Sequence, residues 1–276
     1  MTAADRWREG LASLAIPESI LAAAPEPPWG FPAECFRRRG ASRARAKVTT
    51  PTTRRALDAL PQGGTVLDVG VGGGATSLPL AGKAATIVGV DAQPDMLVAF
   101  ADNAEAAGVD AEPIQGRWPE DAERCPVSDV VVAGHIFYNT PELVAFARAM
   151  EDHARRRVVA ELTQRHPLAW MRDLWRRFHD LDRPAGPTAD DAAAVLSEAG
   201  FDVTREERTP SVAEGGAGFA DRTSAVATVR RRLCLPADRD DEVADALGDR
   251  LRRLDDGWDV GPPERTIVTL WWDAGR

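Results

Sequence analysis

The residues best suited to chemistry in this 276-residue chain gather around one run, Val66-Leu67-Asp68-Val69-Gly70-Val71-Gly72-Gly73-Gly74-Ala75. An acid precedes glycines at alternate positions, Gly70, Gly72 and Gly74. Glycine permits tight turns and carries no side chain to hold a ligand away from the main chain. A second acid, Asp91, follows 23 residues after Asp68, with Ala92 beside it. A carboxylate there can accept hydrogen bonds from both hydroxyls of a ribose, so the constellation reads as a site for a ribose-bearing cofactor. Gly70, Gly72 and Ala75 also satisfy the G-x-G-x-x-A form of a nicotinamide dinucleotide site. An NAD(P)-dependent oxidoreductase is therefore the competing reading. Asp68 separates the two. An acid directly before the loop repels a pyrophosphate but suits a ligand with an ammonium group and no phosphate, such as S-adenosylmethionine.

The elements that must position these residues follow from the hydrophobic pattern. The short, apolar and β-branched stretch at 65–69, with those at 85–90, 111–115, 129–133 and 157–162, predicts five strands that alternate with helices. The glycine loop is expected to lead into a helix near 75–82. A second helix opens at Pro94 and closes at Gly108, and Thr140-Pro141-Glu142 has the cap, proline and early acid of a third. Buried-looking strands alternating with helices require an α/β fold, a doubly wound, mostly parallel sheet. An amphipathic helix over 168–178 follows, then a capping-box start at Thr188 and Asp191 and a strand near 201–207. Helices around 226–233 and 238–254 precede a final strand at 265–272. Residues 1–60, broken by prolines, read as an N-terminal helical cap segment. Residues 61–276 read as the main domain, with 211–259 as a helical insertion before the last strand.

At LDVGVGGG (67–74), GVDAQPDML (89–97), Gln115-Gly116 and DVVVAGHIF (129–137), the sequence resembles the class I, Rossmann-like S-adenosylmethionine-dependent methyltransferases. The resemblance covers roughly residues 61–165 and the closing strand. It implies a seven-stranded sheet in the order 3-2-1-4-5-7-6 with the last strand antiparallel, and S-adenosyl-L-methionine as cofactor. It further implies that Asp68 orients the methionine end, that residues 70–74 lie under the cofactor, and that Asp91 holds the ribose. One departure concerns the base. Many members carry an Asp just after the third strand that accepts from the adenine amino group, whereas Arg117 and Trp118 follow Gly116 here. Arginine cannot accept a hydrogen bond, so Trp118 is the candidate to stack on the adenine.

In-line methyl transfer places its acceptor at the carboxyl end of the fourth strand, at Gly134-His135-Ile136-Phe137-Tyr138-Asn139. Histidine is the side chain suited to taking a proton in this role, which makes His135 the candidate base. Tyr138, the only tyrosine, and Asn139 can orient an acceptor. The segment is not the NPPY type associated with methylation of amino groups on bases or glutamine. Glu161, His166 and Trp170 form a second set expected to face the same cleft.

Composition narrows the class. A formal net charge of −9 argues against a general nucleic-acid binder. Yet the stretch 35–57 has no acid and carries Arg37, Arg38, Arg39, Arg43, Arg45, Lys47, Arg54 and Arg55. That run can meet an anionic substrate or a carboxylate, and it keeps RNA as a disfavoured acceptor. No apolar run approaches the roughly 20 residues needed to cross a bilayer, and the first residues lack the order of a secretory signal. Three distant cysteines and four dispersed histidines predict no metal site and suit the cytoplasm. The expected function is a cytoplasmic S-adenosylmethionine-dependent methyltransferase with a small-molecule acceptor. A non-catalytic cofactor-binding regulatory protein is the other alternative.

Overall fold

The computed structural model describes residues 1–46, 49–211, 214, 216–262 and 264–275. Lys47 of the basic run, and Val212, Ala213 and Gly215 of the expected insertion, lie outside them. Five parallel strands form the sheet's frame: β1 (Gly64–Val69), β2 (Ala84–Asp91), β3 (Asp110–Gln115), β4 (Ser128–Gly134) and β5 (Ala154–Thr163). After β6 (Thr204–Arg208), a hairpin of β7 (Leu251–Leu254) and β8 (Gly257–Val260) precedes β9 (Ile267–Asp273). The seven-stranded sheet runs β3-β2-β1-β4-β5-β9-β6, and β9 is antiparallel to both neighbours. This is the expected order, with β9 as the closing strand. Val66 and Leu67 of β1, Val130–Val132 of β4 and Val158–Ala160 of β5 have no exposed surface. Strands covered on both faces read as continuous apolar runs rather than as alternation.

The described residues form ten helices: α1 (Ala3–Ala12), α2 (Glu18–Ala23), α3 (Ala33–Arg45), α4 (Pro51–Ala59), α5 (Pro94–Ala107), α6 (Leu143–Asp152), α7 (Arg172–His179), α8 (Ala189–Glu198), α9 (Arg222–Arg232) and α10 (Asp240–Leu247). The N-terminal helices pack into the same core. Trp7 of α1 is fully buried, stacks on Tyr138 at 5.6 Å between centroids and donates its indole N–H to the Thr140 carbonyl at 2.9 Å. The Thr50 hydroxyl caps α4 by accepting from the Thr53 N–H, with Pro51 in the first turn. Helix α3 lies over the glycine loop. Asn103 of α5 clamps the two together, its Nδ2 donating to the carbonyls of Gly73 at 2.9 Å and Arg37 at 3.0 Å.

Three local expectations fail for identifiable reasons. Residues 75–82 form turns and a short 3-10 turn at Leu78–Leu80, not an α-helix. Pro79 has no N–H to bond, the Ser77 hydroxyl is turned to Asp68, and α3 packs against this stretch. Helix α6 starts at Leu143 because Thr140 closes the 3-10 turn Phe137–Asn139, its N–H donating to the Phe137 carbonyl. The helix expected over 238–254 ends at Leu247, before Gly248 at φ +50°. Residues beyond it turn back through Asp255-Asp256 into the β7–β8 hairpin, so the insertion is not purely helical. An acidic turn ending in Gly257 is a hairpin signal that the helical pattern masked. Among the described residues, no helix is long and apolar enough to cross a membrane.

Candidate active site

At the carboxyl edge of the sheet, the two acids close on the same glycine turn. Asp68, the penultimate residue of β1, is 1% exposed. Its Oδ2 accepts from the Ser77 hydroxyl at 2.6 Å, while Oδ1 is buried with no hydrogen-bond partner among the described residues. Burial pushes the Asp68 pKa up to about 7; the Ser77 hydrogen bond opposes this, and the neighbouring Asp91 charge adds to it. Asp91 ends β2 and folds back on the turn, Oδ2 accepting from the Gly72 N–H at 3.1 Å and Oδ1 from the Gln93 N–H at 2.9 Å. Gly72 sits at φ +52°, a region L side chains rarely adopt, and a Cβ there would meet the Phe36 ring of α3 at 3.1 Å. Ile136 covers Gly70 in the same way, and Gly74 faces Leu78 and Phe100 beneath the loop. Ala92 and its neighbours to Asp95 are exposed, leaving the side beyond Asp91 open.

This arrangement suits S-adenosylmethionine. A buried carboxylate oxygen without a donor is a place for an ammonium group, and each Asp91 oxygen keeps a lone pair for a ribose hydroxyl. Phe36 and Ile136 must flank the ligand or give way to it.

Beyond β3, Gly116 abuts Asp121, whose Oδ2 accepts from the Arg117 N–H at 2.8 Å. The Arg117 side chain is exposed. Trp118 does not face the crevice. Its indole N–H donates to the Phe146 carbonyl at 3.2 Å, and its ring packs edge-to-face on Phe146 and His153. Asp121 was missed by sequence reasoning. Its signal is a turn residue, Pro119, that brings an acid four positions along back to the strand end.

After β4, Gly134 lacks the side chain that would collide with the Thr76 hydroxyl. His135 follows at φ +58° and lines a cavity of about 190 Å³. Its Nε2 lies 3.4 Å from Oε1 of Glu161, near the end of β5. The other Glu161 oxygen accepts from the Thr52 hydroxyl of α4 at 2.6 Å and lies 3.8 Å from the Arg43 guanidinium. Burial alone would raise the Glu161 pKa, but His135, Arg43 and Thr52 outweigh it and hold the pKa down, at about 2. The imidazole thus faces a fixed carboxylate.

Tyr138 and Asn139 do not join this pair. The Tyr138 hydroxyl donates to the Thr163 carbonyl at 2.7 Å and its ring lies between Trp7 and His166. Burial raises its pKa above the usual phenol range. It is a core residue. Asn139 is exposed on the 3-10 turn and does not line the cavity. Of the second set, only Glu161 faces the cavity. His166 lines a separate one of about 70 Å³, where burial first, then Arg183 and Arg232, push its pKa down to about 4. Trp170 packs in the cluster around α7 and α9. The basic run is dispersed. Arg37 pairs with Asp102 and Glu34, Arg54 and Arg55 with Glu206, whereas Arg39 and Arg43 reach the cavity.

Antiparallel β9 between β5 and β6 departs from the parallel 3-2-1-4-5-6 order of the dinucleotide-binding fold. Comparison with known proteins agrees. Residues 66–157 match the family model described as a methyltransferase domain. A ubiquinone biosynthesis O-methyltransferase of Azorhizobium caulinodans is 37% identical over 83 residues, which are 30% of this chain and 33% of that protein. The chain therefore matches only about a third of the length of this curated relative. Two solved structures share the fold: the YcgJ protein of Bacillus subtilis and a proposed methyltransferase of Bacillus halodurans C-125. The first has a TM-score of 0.50 and 16% identity over 82% of this chain and 98% of its own. The second has a TM-score of 0.51 and 15% identity over 82% and 99%. The glycine turn with its two acids, the sheet order and the match over 66–157 agree: residues 66–157 are similar to a methyltransferase domain, set in a Rossmann-like sheet.

Proposed function

We propose that the protein moves the methyl group of S-adenosylmethionine to a small-molecule acceptor held in the cavity beside His135. The observation that carries this reading is the closure of Asp68 and Asp91 on one glycine turn, with a buried Asp68 oxygen left without a donor. When bound, the cofactor supplies a methyl already activated on sulfonium, the carbon–sulfur bond breaking as the bond to the acceptor forms. Asp68 pairs with the ammonium group, Asp91 takes the ribose hydroxyls, and Asp121 stands where the adenine edge is read beside Gly116 and Arg117. Ala92 borders the ribose, and Gly134 keeps the passage to the cavity clear. His135 takes the acceptor's proton, while Glu161 fixes the imidazole and offsets the charge it gains. A base has work only if the nucleophile arrives protonated, so a hydroxyl acceptor fits this pair. Alignment of the two substrates supplies much of the rate.

The same pair of side chains favours turnover over a purely cofactor-binding role. RNA is not the acceptor we propose, because Arg37, Arg54 and Arg55 of the basic run are paired with acids and Arg39 and Arg43 are turned into the cavity. Three unpaired, buried cysteines support a cytoplasmic location. Calorimetry tests the reading. S-Adenosylhomocysteine should bind, Asp91→Ala should weaken it by about tenfold or more, and Gly72→Val should abolish it. Failure of the wild type to bind at millimolar ligand ends the proposal.

A further inference from the structure

Arg39, Arg252 and Arg265 form an arginine wall of the cavity beside His135. Asp259 of β8, 7% exposed, is shared by three guanidiniums: Arg252 at 2.7 Å, Arg39 at 3.4 Å and Arg265 at 3.9 Å. No other carboxylate among the described residues lies within salt-bridge distance of these three, so two positive charges are uncompensated there. This concentration stands out in a chain of net charge −9. Burial lowers the Arg265 pKa, Asp259 opposes the shift, and Arg39 and Arg252 add to it. Burial is the main cause, and the two neighbouring guanidiniums reinforce it. The backbone is shaped for them. A Cβ at Gly261 would stand 2.9 Å from the Arg265 Cζ, and one at Gly218 3.1 Å from the Arg39 Nη2. A side chain at either glycine would push the Arg265 or Arg39 guanidinium aside. Pro210, Pro262 and Ile267 add apolar surface to the cavity, alongside Arg208, Ser211 and Glu214.

We propose that the acceptor carries an anionic oxygen group, a carboxylate or a phosphate, which seats on Arg39, Arg252 and Arg265 while its nucleophile faces His135. The planar guanidinium fork matches either group in bidentate geometry. Asp259 holds the three arginines in place and offsets part of their mutual repulsion before the ligand arrives. The apolar surface of Pro210, Pro262 and Ile267 suits a compact hydrocarbon body. Calling the ligand an acceptor rests on the methyl-transfer reading above; the anion site itself does not.

The test is calorimetric titration of the full-length protein with benzoate, inorganic phosphate and, as the uncharged counterpart, benzamide. Benzoate or phosphate should bind in the millimolar range or better, and benzamide should not. Preference for benzoate marks a carboxylate-bearing acceptor; preference for phosphate marks a phosphorylated one. Arg265→Gln should weaken the anion by about tenfold or more, the loss of one charge-assisted contact. Asp259→Asn removes the competing carboxylate and should bind the anion at least as tightly as the wild type. Both variants should bind S-adenosylhomocysteine within about twofold of wild type, which also reports that they are folded. Equal binding of benzamide and benzoate, no binding of either anion, or an unchanged Arg265→Gln overturns the proposal. So does parallel loss of S-adenosylhomocysteine in Arg265→Gln, which would assign the arginines to the cofactor. Arg265-dependent anion binding in a protein that binds no S-adenosylhomocysteine would instead sink the methyl-transfer reading and leave the anion site standing.

Discussion

The two ends of the carboxyl edge of the sheet carry opposite charge. Around the glycine turn the ionisable groups are carboxylates, Asp68 and Asp91, one of them buried with an oxygen lacking a donor. Around the cavity beyond His135 they are mainly guanidiniums gathered on one aspartate. The first set suits a ligand with cationic groups and the second a ligand with an anionic one. The difference also separates two kinds of side-chain work. At the turn, backbone and acids hold a ligand in place. At the cavity, His135 and Glu161 can move a proton.

The largest effect should come from the proton-moving end. His135→Ala is expected to lower turnover by about a hundredfold or more, with S-adenosylhomocysteine affinity within about twofold. Equal loss of both in a competition assay would erase the division between the two regions. Next is the pH response of the turn. The folded-state pKa of Asp68 is raised above its unfolded value near 3.8, so the folded chain keeps this proton as pH rises. Its contribution to stability therefore falls between about pH 4 and pH 7. A ligand that pairs with the ionised carboxylate should bind more tightly as pH rises through about 7, by up to about tenfold per unit below it. Asp68→Asn should remove that slope in titrations at several pH values. Glu161 has the opposite sign: its depressed pKa contributes stability at neutral pH that is lost only as pH falls through about 2. The smallest effect on rate should be that of Tyr138→Phe. It leaves the Thr163 carbonyl without its donor and should cost about 1–2 kcal/mol in denaturant melts. Turnover of the folded fraction should not change.

Much of the frame was legible because parallel strands buried on both faces leave unbroken apolar runs, and because the glycine turn must sit between a strand and the residues that cover it. Asp68, Asp91 and His135 sit at the ends of such runs, so their shared edge follows from periodicity and topology alone. Trp118 and Tyr138 were misplaced for a different reason. Whether an aromatic at a strand end points into the crevice or the core depends on partners distant in sequence: Phe146 and His153 for Trp118, Trp7 and His166 for Tyr138. The arginine wall was half visible. Arg39 and Arg43 belong to the basic run, but Arg252 and Arg265 lie more than 200 residues further on and join them only through the hairpin.

Helix α3 touches both ends at once. Phe36 rests on Gly72, and Arg39 and Arg43, one and two turns along, reach the cavity. A rigid helix cannot shift for one guest without presenting a changed surface to the other. Any shift of α3 on binding at one end therefore changes affinity at the other, by a factor that is the same in both directions.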